Sequence, residues 1–178
     1  MNKAWGHFKT ITHHRHLVCR GCFAVGLYKQ GLLHDLSKYS WVEFSVGARY
    51  FQGDKSPNNV EREEKGVSRA WLHHKGRNKH HFEYWIDYGL EEPHNMVGML
   101  MPVNYVVEMY CDRVAACKTY QKDKYTDRSA LEYYLKGKHK YMMHPDTERL
   151  LEDMLTHLAE HGEQATNEYI RREILKNK

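Results

Sequence analysis

The sequence predicts an all-α, helical-bundle fold, and three observations carry that expectation. Apolar residues recur at the three-to-four spacing of a helix face through most of the chain. Helix-start patterns stand at Ser40, Ser129 and Pro145. No repeat, low-complexity stretch or Pro/Gly-rich linker interrupts the chain. The 178 residues, 41% hydrophobic and 28% charged, suit one globular unit. The expected organisation is a single domain over 1–178, with a core over about 8–122 and C-terminal helices over 129–178.

The elements follow in order. Residues 12–28 predict a first helix whose inner stripe holds Leu17, Val18, Gly21, Cys22 and Val25. His14 lies one turn before Val18 on that stripe, so His14, or else His13, is the expected buried histidine. Residues 31–38 predict a short second helix. Ser40-Trp41-Val42-Glu43 has the capping-box form and predicts the start of a third. The polar stretch 53–66 reads as a loop or a frayed helix. A helix over 67–75 is broken at Gly76-Arg77-Asn78 and resumes over 80–88. Residues 102–120 form the most apolar helix, apolar nearly all round and therefore buried. Ser129-Ala130-Leu131-Glu132 is a second capping box. A helix over 145–161 ends at Gly162, and a charged helix over 163–175 closes the chain; these last helices read as scaffold or an oligomer contact.

Composition narrows the function. No apolar run approaches the roughly 18–20 residues that cross a bilayer, and residues 1–9 lack a signal-peptide core. A cytoplasmic protein with no membrane partner is the expectation. Cys19-Arg20-Gly21-Cys22 is a lone C-x-x-C without the second pair of a zinc ribbon, so reduced cysteines on helices are expected. The net charge is +4, with basic residues spread along the chain, which argues against nucleic acid as partner. Lys75, Arg77 and Lys79 form the densest basic spot and suit a small anion. Histidine is the outlier, with 14 copies.

Two groups of residues carry chemistry. His34-Asp35 joins a neutral imidazole to a carboxylate, good ligands for zinc, iron or manganese. Asp112 sits on the helix read as buried, where an unpaired carboxylate needs a cation or several donors. A metal shared with His14, His34 and Asp35 would satisfy it; the alternative is a surface pairing with Arg113 or Lys118. His73-His74 and His80-His81 flank the break. On one unbroken helix His74 and His81 would stand about 10.5 Å apart, too far to share an ion. A turn at 76–78 would bring one or two ligands from each pair together.

These residues resemble the HD-domain superfamily, helical metal-dependent phosphohydrolases. His14-Arg15-His16-Leu17-Val18 is similar to its first element. Leu32-Leu33-His34-Asp35-Leu36-Ser37-Lys38 is similar to the His-Asp element, and Asp112 to the closing aspartate. The stretches 31–39, 71–75 and 78–85 resemble more closely a bacterial family of unknown function, across about residues 8 to 135. That resemblance implies a Gram-positive, clostridial source and no established activity. The intervals His14–His34 and His74–His80 are shorter than in most HD domains.

The resemblance implies an HD-like bundle and a divalent transition metal (Fe, Mn, Zn, Co or Ni) as one or two ions. It implies His14, His34, Asp35, His74, His80, His81 and Asp112 as ligands. Asp35 and Lys38 would be catalytic, and Lys38, Lys75, Arg77 and Asn78 would contact substrate. The expected function is hydrolysis of a nucleotide or other small phosphate ester. The alternatives are a di-iron HD-type oxygenase and a non-catalytic metal- or nucleotide-binding protein. The expected partners are a small phosphorylated substrate and, as a candidate homo-oligomer, further copies of the chain.

Overall fold

The computed structural model describes residues 2–90 and 96–176. Among them eight α-helices and one two-stranded hairpin are present, so the all-α class is correct. No helix among them is long and apolar enough to cross a membrane.

Helix α1 (Lys3–Val25) begins well before the expected residue 12, because the Asn2 side chain caps it by accepting from the Ala4 N–H. His7 and Ile11 extend the buried stripe of His14, Val18, Cys22 and Val25. Gly26 stops the helix at φ 90°, a left-handed position that glycine adopts without steric cost. The expected second helix over 31–38 is divided. Helix α2 (Tyr28–Leu33) ends before His34, and a single 3-10 turn (Leu36–Tyr39) follows Asp35.

Helix α3 (Trp41–Tyr50) starts at Ser40, but the Ser40 side chain makes no cap hydrogen bond. The expected capping box does not form, and Glu43 is buried elsewhere. The polar stretch contains helix α4 (Pro57–Lys65), with Pro57 in its first turn and Gly66 at φ 77° after its last. Helix α5 (Arg69–Lys75) is capped by Ser68, whose hydroxyl accepts from the Trp71 N–H.

The region 80–88 departs from expectation. Instead of a helix it forms a 3-10 turn (Phe82–Trp85) and strand β1 (Ile86–Tyr88), paired antiparallel with β2 (Met96–Gly98). Trp85, Ile86 and Tyr88 are aromatic and β-branched residues that fit a pleated pair as readily as a helix.

Helix α6 (Val103–Gln121) is the buried spine, with Val106, Val107, Met109, Tyr110 and Val114 in the core. Helix α7 (Ser129–Gly137) starts without a side-chain cap; the Ser129 hydroxyl instead accepts from the Thr126 N–H. Helix α8 (Pro145–Tyr169) breaks its helical geometry at Gly162 (φ 79°, ψ 171°), where the sequence places a helix end. Leu151, Met154, Leu155 and Leu158 of α8 lie in one core cluster with Val18, Cys22 and the α6 residues. Helix α1 packs against α2, α3 and α6, and α6 packs against α8.

The α1–α3 contact depends on a small residue. A Cβ at Gly47 would stand 2.1 Å from His7 Nε2, within a buried ring. Alanine would favour the helix by about 1 kcal/mol, but overpacking of this kind costs about 1–3 kcal/mol. Gly47→Ala is therefore expected to lower the melting temperature by several degrees, and calorimetry showing a rise would contradict this packing.

Candidate metal centre

His34 and Asp35 are presented by a break in the backbone rather than by a helix. His34 leaves α2 with extended geometry (φ −51°, ψ 129°), and Asp35 is left-handed (φ 54°, ψ 26°). Only one other non-glycine among the described residues, Lys122, has positive φ. Aspartate tolerates this region better than most residues, but it still costs of order 1 kcal/mol. The break turns both side chains inward, and Asp35 is 0% exposed. Arg15 holds it from the α1 side, donating to the backbone carbonyls of His34 and Leu32.

The Asp35 carboxylate lies between two groups of ligand atoms. On its Oδ2 side are His34 Nε2 at 3.3 Å and His14 Nε2 at 3.8 Å. Asp112 Oδ1 joins them, 2.9 Å from His14 Nε2 and 3.5 Å from His34 Nε2. On its Oδ1 side are His74 Nε2 at 3.3 Å and His80 Nε2 at 3.5 Å. His81 Nε2 stands 2.9 Å from His74 Nε2. The groups are His14, His34, Asp35, Asp112 and Asp35, His74, His80, His81, and the ligand atoms of each lie within 4.8 Å of one another.

The turn at 76–78 brings the two histidine pairs together. The Arg77 N–H donates to the His74 carbonyl, and the His81 N–H to the Asn78 carbonyl. Two nitrogens bound at about 2.1 Å and at right angles to one ion stand about 3 Å apart, close to the His74–His81 separation. His73 turns the other way, and His13 and His16 are exposed.

Five atoms here are buried and, apart from close approaches among the charged groups of the cluster itself (Asp112 to His14, Lys38 to Asp35), find no hydrogen-bond partner among the described residues: Nε2 of His14, His34 and His80, and both oxygens of Asp35. Orphaned buried polar atoms are costly and rare. Their convergence at one place matches the donor set of a transition-metal site.

Two carboxylates that the sequence reading missed orient the rings. Glu108 Oε1 accepts from His34 Nδ1 at 2.9 Å and lies 3.2 Å from His80 Nδ1. Glu43 accepts from His74 Nδ1 at 2.8 Å and from His73 Nδ1 at 2.7 Å through its two oxygens. With Nδ1 protonated and held outside, each of His34, His80 and His74 turns its Nε2 inward, where a metal ion would take the place of any proton there. Metal-ligating histidines are fixed in this way. His34, His80 and Glu108 also approach one another, but on the Nδ1 side, so Glu108 is best read as the anchor of both rings. Glu108 lies one turn before Asp112 on the buried helix, a signal open to sequence reasoning. Glu43 was hidden by the capping-box pattern.

The electrostatics fit an anionic pocket. Burial alone would raise the Asp35 carboxyl, but His34, Lys38 and His74 overcome it and hold it well below its usual range. Burial likewise raises Asp112, and hydrogen bonding to His14 and His34 outweighs it. His81 is held neutral by burial first, and then by repulsion from His80 and His74. His34 is opposed by burial, yet the Asp35 charge draws a proton onto it. A cation binding there would displace that proton.

The expected substrate contacts are placed differently from one another. Lys38 Nζ is 2.5 Å from Asp35 Oδ2, its side chain a quarter exposed at the edge of the cluster. Asn78 is buried, and its amide donates to Ser37 Oγ and the His74 carbonyl. That amide shapes the turn in this structure. Arg77 is exposed and donates to the His73 carbonyl, and Lys75 is half-buried beside Glu83. The four cysteines are free, and Cys19 and Cys22 both lie on α1.

Fold and site together define a helical protein with a buried histidine–carboxylate centre able to hold a metal ion. The chain belongs to a family of unknown function, DUF5662, whose profile matches residues 3–157. That match contains the stretch whose sequence resembled such a family. No curated protein and no solved structure matches the chain.

Proposed function

We propose that this protein is a metal-dependent phosphohydrolase of the HD type, acting on a nucleotide or other small phosphate ester. One observation carries the reading: the two buried oxygens of Asp35 face two separate groups of histidine nitrogens. His14, His34, Asp35 and Asp112 would hold one ion. Asp35, His74, His80 and His81 would hold a second. Imidazole with carboxylate favours Fe, Mn, Zn, Co or Ni over the all-oxygen sites of magnesium or calcium. When bound, such an ion supplies Lewis acidity toward a phosphoryl oxygen and acidifies water.

The chain's own residues do the rest. The backbone break aims Asp35 inward, and full burial with the Lys38 ion pair holds its carboxylate between the two groups. Lys38 places a positive charge at the partly exposed edge, where a phosphate arriving from solvent would meet it. Glu43 and Glu108 keep the histidine rings from rotating.

The test uses the purified full chain. A transition metal at 100 times its dissociation constant is expected to stabilise the fold by about 2.7 kcal/mol. That is a rise of roughly 5–10 °C for a chain of this size, reversed by a chelator. The metal-loaded protein is expected to hydrolyse at least one member of a panel of nucleotides and phosphate esters. Stabilisation without hydrolysis across the panel would replace this reading with non-catalytic metal binding. Dioxygen-dependent turnover by an iron-loaded sample would replace it with oxygenase chemistry.

A further inference from the structure

No helix among the described residues is long and apolar enough to cross a bilayer, yet one surface of the molecule has the composition of a membrane interface. Its centre is the outer face of α1. At 100° per residue, Trp5, Lys9, His16, Arg20 and Phe23 fall within about 60° of arc, opposite the buried stripe of His7, His14 and Val18. Trp5 stacks on Phe8 at 5.5 Å, Phe8 meets the Tyr39 ring at 6.0 Å, and Arg15 lies over Tyr39. Through Arg15 the surface reaches α2 and the turn after it, where Leu32, Leu33 and Leu36 are about half exposed. Trp41, at the start of α3, is 81% exposed.

The exposed charge that residues 1–53 contribute has one sign. Residues 1–53 contain two carboxylates, Asp35 and Glu43, and both are buried in the metal centre. Lys3, Lys9, Arg20 and Lys29 are exposed in the same stretch. Basic residues are spread evenly in the sequence; it is the acidic ones that are missing here. A face with apolar side chains at its crest and an excess of cations beside them, with Glu64 of α4 a carboxylate near Lys3 at one end, matches an anionic, partly apolar occupant.

We infer that this face docks on an anionic lipid surface. A second copy of the chain fits poorly, because a two-fold contact through this face would oppose cations to cations. Nucleic acid would satisfy the charge but offers no apolar phase for the leucines. Trp and Phe at the headgroup level, with Lys and Arg reaching the phosphates, is the arrangement of interfacial helices. The inference rests on surface residues alone and stands apart from the metal centre.

The experiment is co-sedimentation of the full chain with vesicles of phosphatidylcholine, with and without phosphatidylglycerol, at two salt concentrations. Sedimentation with the anionic vesicles only, weakened by salt, is expected. Lys9→Glu/Arg20→Glu should lower the bound fraction by roughly tenfold or more. Trp5→Ser/Leu32→Ser should lower it as well, with helicity by circular dichroism unchanged in both variants. Absence of binding to anionic vesicles overturns the inference, as does equal binding to neutral ones. A solution dimer that the apolar variant dissociates assigns the face to a second copy, and binding to single-stranded nucleic acid but not to vesicles assigns it to that ligand; either result overturns the lipid reading.

Discussion

Asp35→Ala is expected to remove bound metal from both halves of the cluster at once. Each Asp35 oxygen faces a different set of histidine nitrogens, so one substitution takes a donor from each. Changing an outer ligand should act on one half only. His81→Ala, for example, leaves the group of His14, His34 and Asp112 intact. Elemental analysis after dialysis would then give a clear ranking, with Asp35→Ala losing the most metal and His81→Ala about half as much. Equal losses from the two variants would mean that Asp35 does not sit between two sites. The variant protein also leaves the Lys38 ammonium without its closest carboxylate, and breaking a buried pair in this way costs about 3–5 kcal/mol, at the low end here because Lys38 is partly exposed. The metal-free protein should therefore melt earlier as well.

Glu108→Ala is expected to weaken metal binding by roughly 10- to 100-fold, the usual effect of removing a carboxylate behind a histidine ligand. The effect should reach both halves, because Glu108 faces the Nδ1 atoms of His34 and His80, which serve different groups. Glu43→Ala supplies the comparison. It frees His74 in one group and His73 outside the cluster, so only one half should weaken. Metal titrations by calorimetry would separate the two patterns. A Glu108→Ala protein with unchanged affinity at both halves would make Glu108 a mere buried acceptor. A uniform loss of stability without a change in affinity would do the same.

Much of the centre was legible before folding was considered. His14 falls on the inner stripe of α1 by spacing alone, and it is buried there. The break at 76–78 signalled that the two histidine pairs fold together, as His74 and His81 do. Asp112 was found because a carboxylate on a buried helix demands a partner. Glu108 meets the same criterion, one turn earlier on the same helix. Glu43 was masked because a capping box and a buried ring anchor place a glutamate at the same position, three residues after a serine. Periodicity alone does not separate those two roles. The hairpin was misread for a related reason, since short aromatic segments fit helix and strand alike.

The helical class, the buried α6, the helix break at Gly162 and the His34–Asp35 pair are written in the chain locally. These follow from local spacing and from residues whose backbone preferences are strong. Long-range packing sets the end of α2 at Leu33 and the left-handed turn of Asp35 between two groups of ligand atoms. It also decided which histidine of each group faces inward and that Glu43 and Glu108 stand behind the rings. Those outcomes depend on contacts between residues far apart in the chain, such as His34 with Glu108 and His74 with Glu43. A helix-favouring local pattern could be overridden at Asp35 because packing of α1, α3, α5 and α6 around one point outweighs the modest cost of one strained residue.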